Sequence, residues 1–185
     1  TFHMMRDGRI KGYFAWGMNP AHSTPNAKFA RNAMANLDWL VCADWFPTET
    51  ATFWKAPDMD PAKIQTEVYF LPAALIYEKI GSISNSGRWV QWRQQGVLPT
   101  GEAKSDFEII EVLFDRIRSL YQKEGGVYPD PILKANMDYK VDGKYDLRAV
   151  CWAINGYTVQ DGKLLPGYAQ LQADGSTACG VWVCS

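Results

Sequence analysis

A few short stretches of the 185-residue sequence hold side chains that could do chemistry. Gly17-Met18-Asn19-Pro20 is a glycine turn leading into a helical pattern. Such a turn offers backbone N–H groups and the positive end of a helix dipole, which together suit an anion such as a pyrophosphate. It has one glycine where a dinucleotide fingerprint has three, so the spacing alone favours an ordinary strand-to-helix turn. Asn19 adds an amide that can donate or accept. Asp44, behind Ala43, follows one strand-helix-strand unit later, where nucleotide folds place a ribose-binding carboxylate. Its other reading is a cap on the next turn. Lys79, Arg88, Arg93 and Lys104 make a basic cluster that suits phosphates or simply faces solvent. Asp106 opens a helix, where a carboxylate complements the dipole or accepts N–H donors from a guanine edge.

Nucleophilic and metal chemistry find little support. His3 and His22 are too isolated in sequence to build a Ser-His-Asp or Cys-His arrangement. Cys42, Cys151, Cys179 and Cys184 lack the short spacings of zinc or iron–sulfur sites. Cys42 and Cys151 read as core thiols, whereas Cys179 and Cys184 could pair or pack. No catalytic residue and no metal ligand is assigned.

The elements that must position these residues follow from periodicity and breakers. Residues 10–16 read as a strand, 26–37 as a helix with Phe29, Ala33 and Leu37 on one face, and 39–43 as a second strand. Residues 66–71 give a third strand, stopped by Pro72. A strand-helix-strand order implies a parallel crossover, and ligands of such sheets sit beyond the carboxyl ends of the strands. That geometry brings Gly17–Pro20 and Asp44 to one edge. Residues 78–88 read as too polar and irregular for a core element. Ser105 to Tyr121 is the strongest helix, with a Ser105/Glu108 capping box and an apolar stripe of Ile110, Leu113, Phe114, Ile117, Leu120 and Tyr121. Beyond it, Asp-Gly pairs at 142–143, 161–162 and 174–175 signal turns. The fold expected is α/β: a Rossmann-like, mainly parallel sheet with flanking helices, plus an irregular hairpin-rich C-terminal appendage. Residues 1–124 are assigned to a dinucleotide-binding domain and 125–185 to its extension.

Composition sets the outer bounds. Apolar residues make up 47% and charged residues 21%, the balance of a globular chain with a real core. The net charge of -1 argues against a polymer nucleic acid as partner. A mean hydropathy of -0.25 without a long apolar run argues against a membrane span. Eight Trp, nine Tyr and eight Phe are a heavy aromatic load. Such side chains suit interfaces and ligand cradles as well as cores, so a carbohydrate-binding module is one reading of them.

The blocks Trp16-Gly-Met-Asn-Pro20, Cys42-Ala-Asp44, Pro47-Thr-Glu-Thr-Ala51, Glu78-Lys-Ile-Gly81, Asn85-Ser-Gly-Arg88 and Gly101-Glu-Ala-Lys-Ser-Asp106 resemble, in order and spacing, the third domain of the molybdopterin oxidoreductases. Residues 60–68, 84–89, 168–171 and 174–182 resemble the formate dehydrogenase branch of that family, its respiratory or periplasmic catalytic alpha subunits. The resemblance implies a domain cradling molybdopterin guanine dinucleotide with molybdenum or tungsten. Gly17, Met18 and Asn19 would lie near pyrophosphate or guanosine. Ala43 and Asp44 would meet the nucleotide, Lys79 the anionic part of the cofactor, and Asp106 the guanine edge. It further implies a segment of a larger enzyme that oxidises formate to carbon dioxide and is inactive alone. The iron–sulfur cluster and the selenocysteine or cysteine metal ligand would be held elsewhere. Expected partners are the remaining domains of the same subunit, an iron–sulfur electron-transfer subunit and a cytochrome b subunit. The expected location is the periplasm or the outer face of the cytoplasmic membrane. A nitrate reductase-like enzyme shares the 78–79 and 101–106 blocks and is the nearest alternative; a dehydrogenase using NAD ranks below both.

Overall fold

A computed structural model describes residues 1–179, except residues 86, 88, 136 and 138. The chain divides into two compact units, Thr1–Ile76 with Pro99–Asp106, and Tyr77–Leu98 with Phe107–Ser185.

The first unit carries α1 (Phe2–Arg6), β1 (Gly12–Trp16), α2 (Pro20–Ser23), α3 (Ala27–Met34), β2 (Trp39–Asp44) and β3 (Glu67–Pro72). The strands form one sheet in the order β1-β2-β3, parallel throughout. This is the sheet the sequence led one to expect, with boundaries shifted by a residue or two. The expected helix over 26–37 is shorter. Asn26 caps it by accepting the Phe29 N–H at 2.9 Å, and after Met34 the chain tightens into turns closed by Asn36 N–H to Ala33 O and Leu37 N–H to Met34 O. The short helices α1 and α2 were not expected. Pro20, with its fixed φ, starts α2.

One face of the sheet forms the core. Ala15, Leu40 and Cys42 pack with Met5 of α1, Ala33 and Met34 of α3, and Phe53 from the segment after β2. Val68 and Phe70 of β3 close the same layer. Phe53 is fully buried and meets Trp54 edge-on.

The opposite face is apolar too. Phe14, Val41 and Tyr69 stand in one row across the three strands. Phe14 and Tyr69 are 44% and 47% exposed. Parallel sheets are ordinarily covered on both faces, so this exposure is out of the ordinary for one. Trp39 lies on this face over Gly12, its ring edge-on to Phe14 at 5.3 Å. A Cβ on Gly12 would fall 1.9 Å from Trp39 Cζ2, so only glycine lets the indole lie down there.

The second unit begins with β4 (Gly81–Asn85) and β5 (Trp89–Arg93), an antiparallel pair. The sequence reading of residues 78–88 as irregular is corrected here. Trp89 and Trp92 give β5 strong strand character, and pairing with it draws the polar Ser82-Ile83-Ser84 run into a ladder. Next come α4 (Asp106–Glu124) and α5 (Asp130–Leu133). The apolar stripe expected on α4 is only partly covered: Ile110, Ile117 and Leu120 are exposed, and Ile109 is the buried residue. β6 (Lys140–Val141) and β7 (Lys144–Tyr145) form a hairpin through Asp142 and Gly143, both at positive φ. Asp-Gly is the dipeptide that tolerates this turn. The Tyr145 hydroxyl donates to Asp115 at 2.7 Å and Lys140 Nζ reaches the same carboxylate at 3.2 Å, tying the hairpin to α4. α6 (Leu147–Asn155) replaces part of the expected irregular tail, capped by Asp146, which accepts the Arg148 N–H. Finally β8 (Tyr157–Thr158) pairs with β9 (Thr177–Ala178). Asp161-Gly162 folds the chain back on itself, with Thr158 N–H donating to Lys163 O at 2.9 Å and an antiparallel bridge between Tyr157 and Leu164, whereas Asp174-Gly175 makes a turn before β9.

The Gly12–Trp39 contact yields a test. Gly12→Ala forces the indole off the strand and should cost about 1–3 kcal/mol in urea unfolding, the usual range for overpacking. It should also abolish the nuclear Overhauser contact between the Phe14 and Trp39 rings. An unchanged midpoint with that contact intact would show that the glycine is incidental.

Candidate functional site

The carboxyl ends of β1, β2 and β3 meet at one edge of the first unit. Ladder bonds continue past the strands: Gly17 N–H donates to Ala43 O at 2.9 Å, and Ala73 N–H donates to Asp44 O at 3.0 Å. Gly17 sits at φ +58 with nothing within 4 Å of where a Cβ would be. The turn is therefore open to close approach by a ligand. Its amide, however, is spent on Ala43 and is not available to an anion. Met18 projects from the turn, 57% exposed. Ala43 is buried.

Asn19 is engaged within the protein. Its Oδ1 accepts from Thr50 N–H at 3.0 Å and from Thr50 Oγ1 at 2.8 Å, while Nδ2 donates to Glu49 Oε2 at 2.5 Å. Thr50 is fully buried and its Oγ1 also accepts the Ala21 N–H at 3.0 Å. The hydrogen bond from Asn19, with a smaller contribution from His22, holds the Glu49 carboxyl below the ordinary carboxylate range. Thr50 is not among the site residues expected from the sequence. The usable signal was a threonine directly before the apolar Ala51 and Phe53, where a hydroxyl must be buried with its partners.

Asp44 and Asp106 are half-buried at the same edge of the unit. Asp44 Oδ1 accepts the Trp45 N–H at 2.7 Å, the turn-capping role weighed for it, and leaves Oδ2 as the second oxygen of the carboxylate. Asp106 Oδ1 accepts Trp16 Nε1–H at 2.8 Å, which places it beside the last residue of β1. Trp45 and Phe46, at 50% and 66% exposure, follow Asp44 directly. The structure thus brings Gly17, Met18, Asn19, Ala43, Asp44 and Asp106 together in the first unit. Lys79 and Arg93 belong to the second unit and Lys104 to the first, so the basic cluster is divided; Arg88 lies outside the described residues.

The edge is acceptor-rich. Carboxylates at 44 and 106 suit ribose hydroxyls or the N–H donors of a guanine, not phosphate oxygens. An open glycine turn beside two carboxylates therefore fits the nucleoside portion of a dinucleotide cofactor. Among the described residues no group of His, Cys, Asp and Glu could hold a metal ion. Cys42 and Cys151 are free, and burial pushes the Cys42 thiol up to about 11, the state of an inert core thiol. Cys184 lies outside the described residues.

A second link braces the edge from behind. Arg31 of α3 meets Asp58 with Nη2 at 2.9 Å from both carboxylate oxygens and Nε at 3.2 Å from one, while its Nη1 donates to Ala21 O at 3.2 Å. Both side chains are mostly covered, at 19% and 24% exposure, a setting in which a forked guanidinium pair is well ordered. Sequence reasoning did not mark either residue.

Comparison with known proteins places this edge in context. The sequence model described as molybdopterin oxidoreductase matches residues 1–116. A "Formate dehydrogenase subunit alpha" from Megalodesulfovibrio gigas is 44% identical over 98% of this chain and 19% of its own length. The "Formate dehydrogenase, nitrate-inducible, major subunit" of Escherichia coli (strain K12) is 38% identical over 98% of this chain and 20% of its own. The chain thus spans about a fifth of the length of these relatives. Among solved structures, "Acetylene Hydratase from Pelobacter acetylenicus" matches with a TM-score of 0.50 and 27% identity, over 63% of this chain and 15% of that one.

The Arg31–Asp58 pair gives a pH-dependent prediction. The hydrogen bond from Arg31 holds the Asp58 carboxyl below its ordinary range. A depressed folded-state value contributes stability that is present above the unfolded carboxylate range and is lost as pH falls through the folded value. Asp58→Asn should therefore be less stable than wild type at neutral pH, with the two converging as pH drops below about 4. Urea unfolding across that range checks it, and a gap that stays constant would remove the pair from the acid response.

Proposed function

The chain is a member of the molybdopterin oxidoreductase family, and from that premise we propose that it is the nucleotide-holding segment of a formate dehydrogenase catalytic alpha subunit. The observation that carries the reading is likeness to two formate dehydrogenase subunits over 98% of the chain, together with an acceptor-lined edge suited to a nucleoside. When bound, the pterin-held molybdenum or tungsten supplies the two-electron chemistry by which formate becomes carbon dioxide and a proton. This chain's residues bind and orient. Asp44 and Asp106 accept from the ribose and guanine of the guanine dinucleotide form. The Gly17-Met18 turn lets the cofactor approach the backbone. The activity belongs in this reading to the whole subunit, of whose relatives this chain spans about a fifth.

The same reading extends to the rest of the protein. An iron–sulfur cluster and the selenocysteine or cysteine metal ligand lie in polypeptide outside this segment. Electrons pass to an iron–sulfur subunit and on to a cytochrome b subunit, with the enzyme in the periplasm or on the outer face of the cytoplasmic membrane. The exposed Phe14, Trp39 and Tyr69 face supports a neighbour in a larger subunit, because a parallel sheet is normally covered on both sides. A nitrate reductase would keep the same edge; the two relatives named above favour formate.

In the full-length subunit, Asp44→Ala and Asp106→Ala should each lower the pterin content by about tenfold, the loss expected when a buried hydrogen-bond partner is removed. Formate-dependent reduction of a dye should fall in parallel. Pterin content at the wild-type level in both variants would refute the binding assignment, and turnover of nitrate without formate oxidation would refute the substrate.

A further inference from the structure

We infer that Thr50, acting through Asn19 and Glu49, is the positioning residue that fixes the cofactor-holding edge before anything binds there. The inference rests on the reading above that this edge holds the nucleotide end of a pterin cofactor.

Thr50 lies in none of the helices or strands, yet it is completely buried and its hydroxyl has two partners. Toward Asn19 the hydroxyl donates; from Ala21 N–H it accepts. The second bond is informative. Asn19 occupies the N-cap position of α2 but makes no side-chain cap bond of its own. Its Oδ1 is turned instead to the Thr50 N–H and hydroxyl. The orphan amide at the start of α2 is therefore capped from across the chain by the residue that also holds Asn19. A helix of four residues has little stability of its own, so this borrowed cap sets where α2 begins.

The consequence reaches both loops of the edge. The turn after β1 is pinned at Gly17 by Ala43 O and at Asn19 by Thr50, with Met18 alone between the anchors. The loop after β2 runs from Asp44, whose carboxylate accepts the Trp45 N–H, to the same Thr50. Glu49 completes the link as a charged acceptor for Nδ2, which strengthens that bond and fixes which way the Asn19 amide faces. Valine fills the volume of threonine, but it would leave the buried Ala21 N–H without its acceptor and Asn19 Oδ1 with one donor fewer. The function of the hydroxyl is to keep the Gly17-Met18 turn and Asp44 at a fixed separation, so that binding costs little reordering.

The test uses the full-length protein produced in a host that makes the cofactor. Bound pterin is released, oxidised to its fluorescent form and counted per protein, and circular dichroism reports folding. Thr50→Val should retain about a tenth of the wild-type pterin, and Thr50→Ser should retain nearly all of it. Asn19→Asp sets two carboxylates against each other, so its pterin content at neutral pH should fall to about a tenth of the wild-type level. The double variant N19D/E49Q restores one donor facing one acceptor and should recover the content. Wild-type content in Thr50→Val, or equal loss in Thr50→Ser, overturns the inference. Should Thr50→Val fail to fold, the Asn19 variants decide: equal content in N19D and N19D/E49Q at neutral pH overturns it as well. Wild-type protein free of pterin would instead refute the cofactor reading on which the inference rests.

Discussion

The parallel pairing of β2 with a strand on each side is the constraint from which the rest of the first unit follows. Parallel strands cannot be joined by a tight turn, so each connection must cross a face of the sheet and return. The crossover through α3 and the one through Phe53 both pack on the Ala15, Leu40 and Cys42 face. Because all three strands run the same way, their carboxyl ends finish together. The turns that follow them are then obliged to be neighbours, and the last bonds of the ladder link Gly17 to Ala43 and Ala73 to Asp44. The site is in this sense a product of strand direction before it is a product of any one side chain.

How much of this could be read from residues alone depends on how local the cause is. The three strands and α3 were legible because apolar periodicity and breakers such as Pro72 act within a few residues. The edge was legible from topology, since order alone puts Gly17 and Asp44 together. What was not legible depends on partners distant in sequence. Ser82-Ile83-Ser84 is a strand because Trp89 to Arg93 is there to pair with it. The amide of Asn19 has the same chemistry in any context, and only the approach of Thr50 settles that it faces the protein. Likewise Asp106 is a helix-opening carboxylate until Trp16, at the end of β1, donates to it. Helix α6 was hidden for another reason: its apolar residues form a run too short for periodicity to separate helix from strand.

Two kinds of evidence therefore converge by different routes. Family membership rests on sequence blocks spread along residues 1–116 and would stand without any coordinates. The physical account of the edge rests on bonds and would stand without any relative. The proposed nucleotide-holding role draws on both, and the bonds shift the emphasis within it. In that proposal the glycine turn supplies room, the carboxylates recognition and the asparagine order.

The uncovered sheet face carries a cost that belongs to handling and synthesis. A net charge of -1 and an isoelectric point near 6.1 give two copies almost no long-range repulsion at neutral pH. Flat aromatic planes such as Phe14, Trp39 and Tyr69 are then free to adhere to one another. Concentration therefore favours self-adhesion of this polypeptide, and alkaline buffers oppose it by building negative charge. In a cell the same plane, while uncovered, is a natural target for a chaperone.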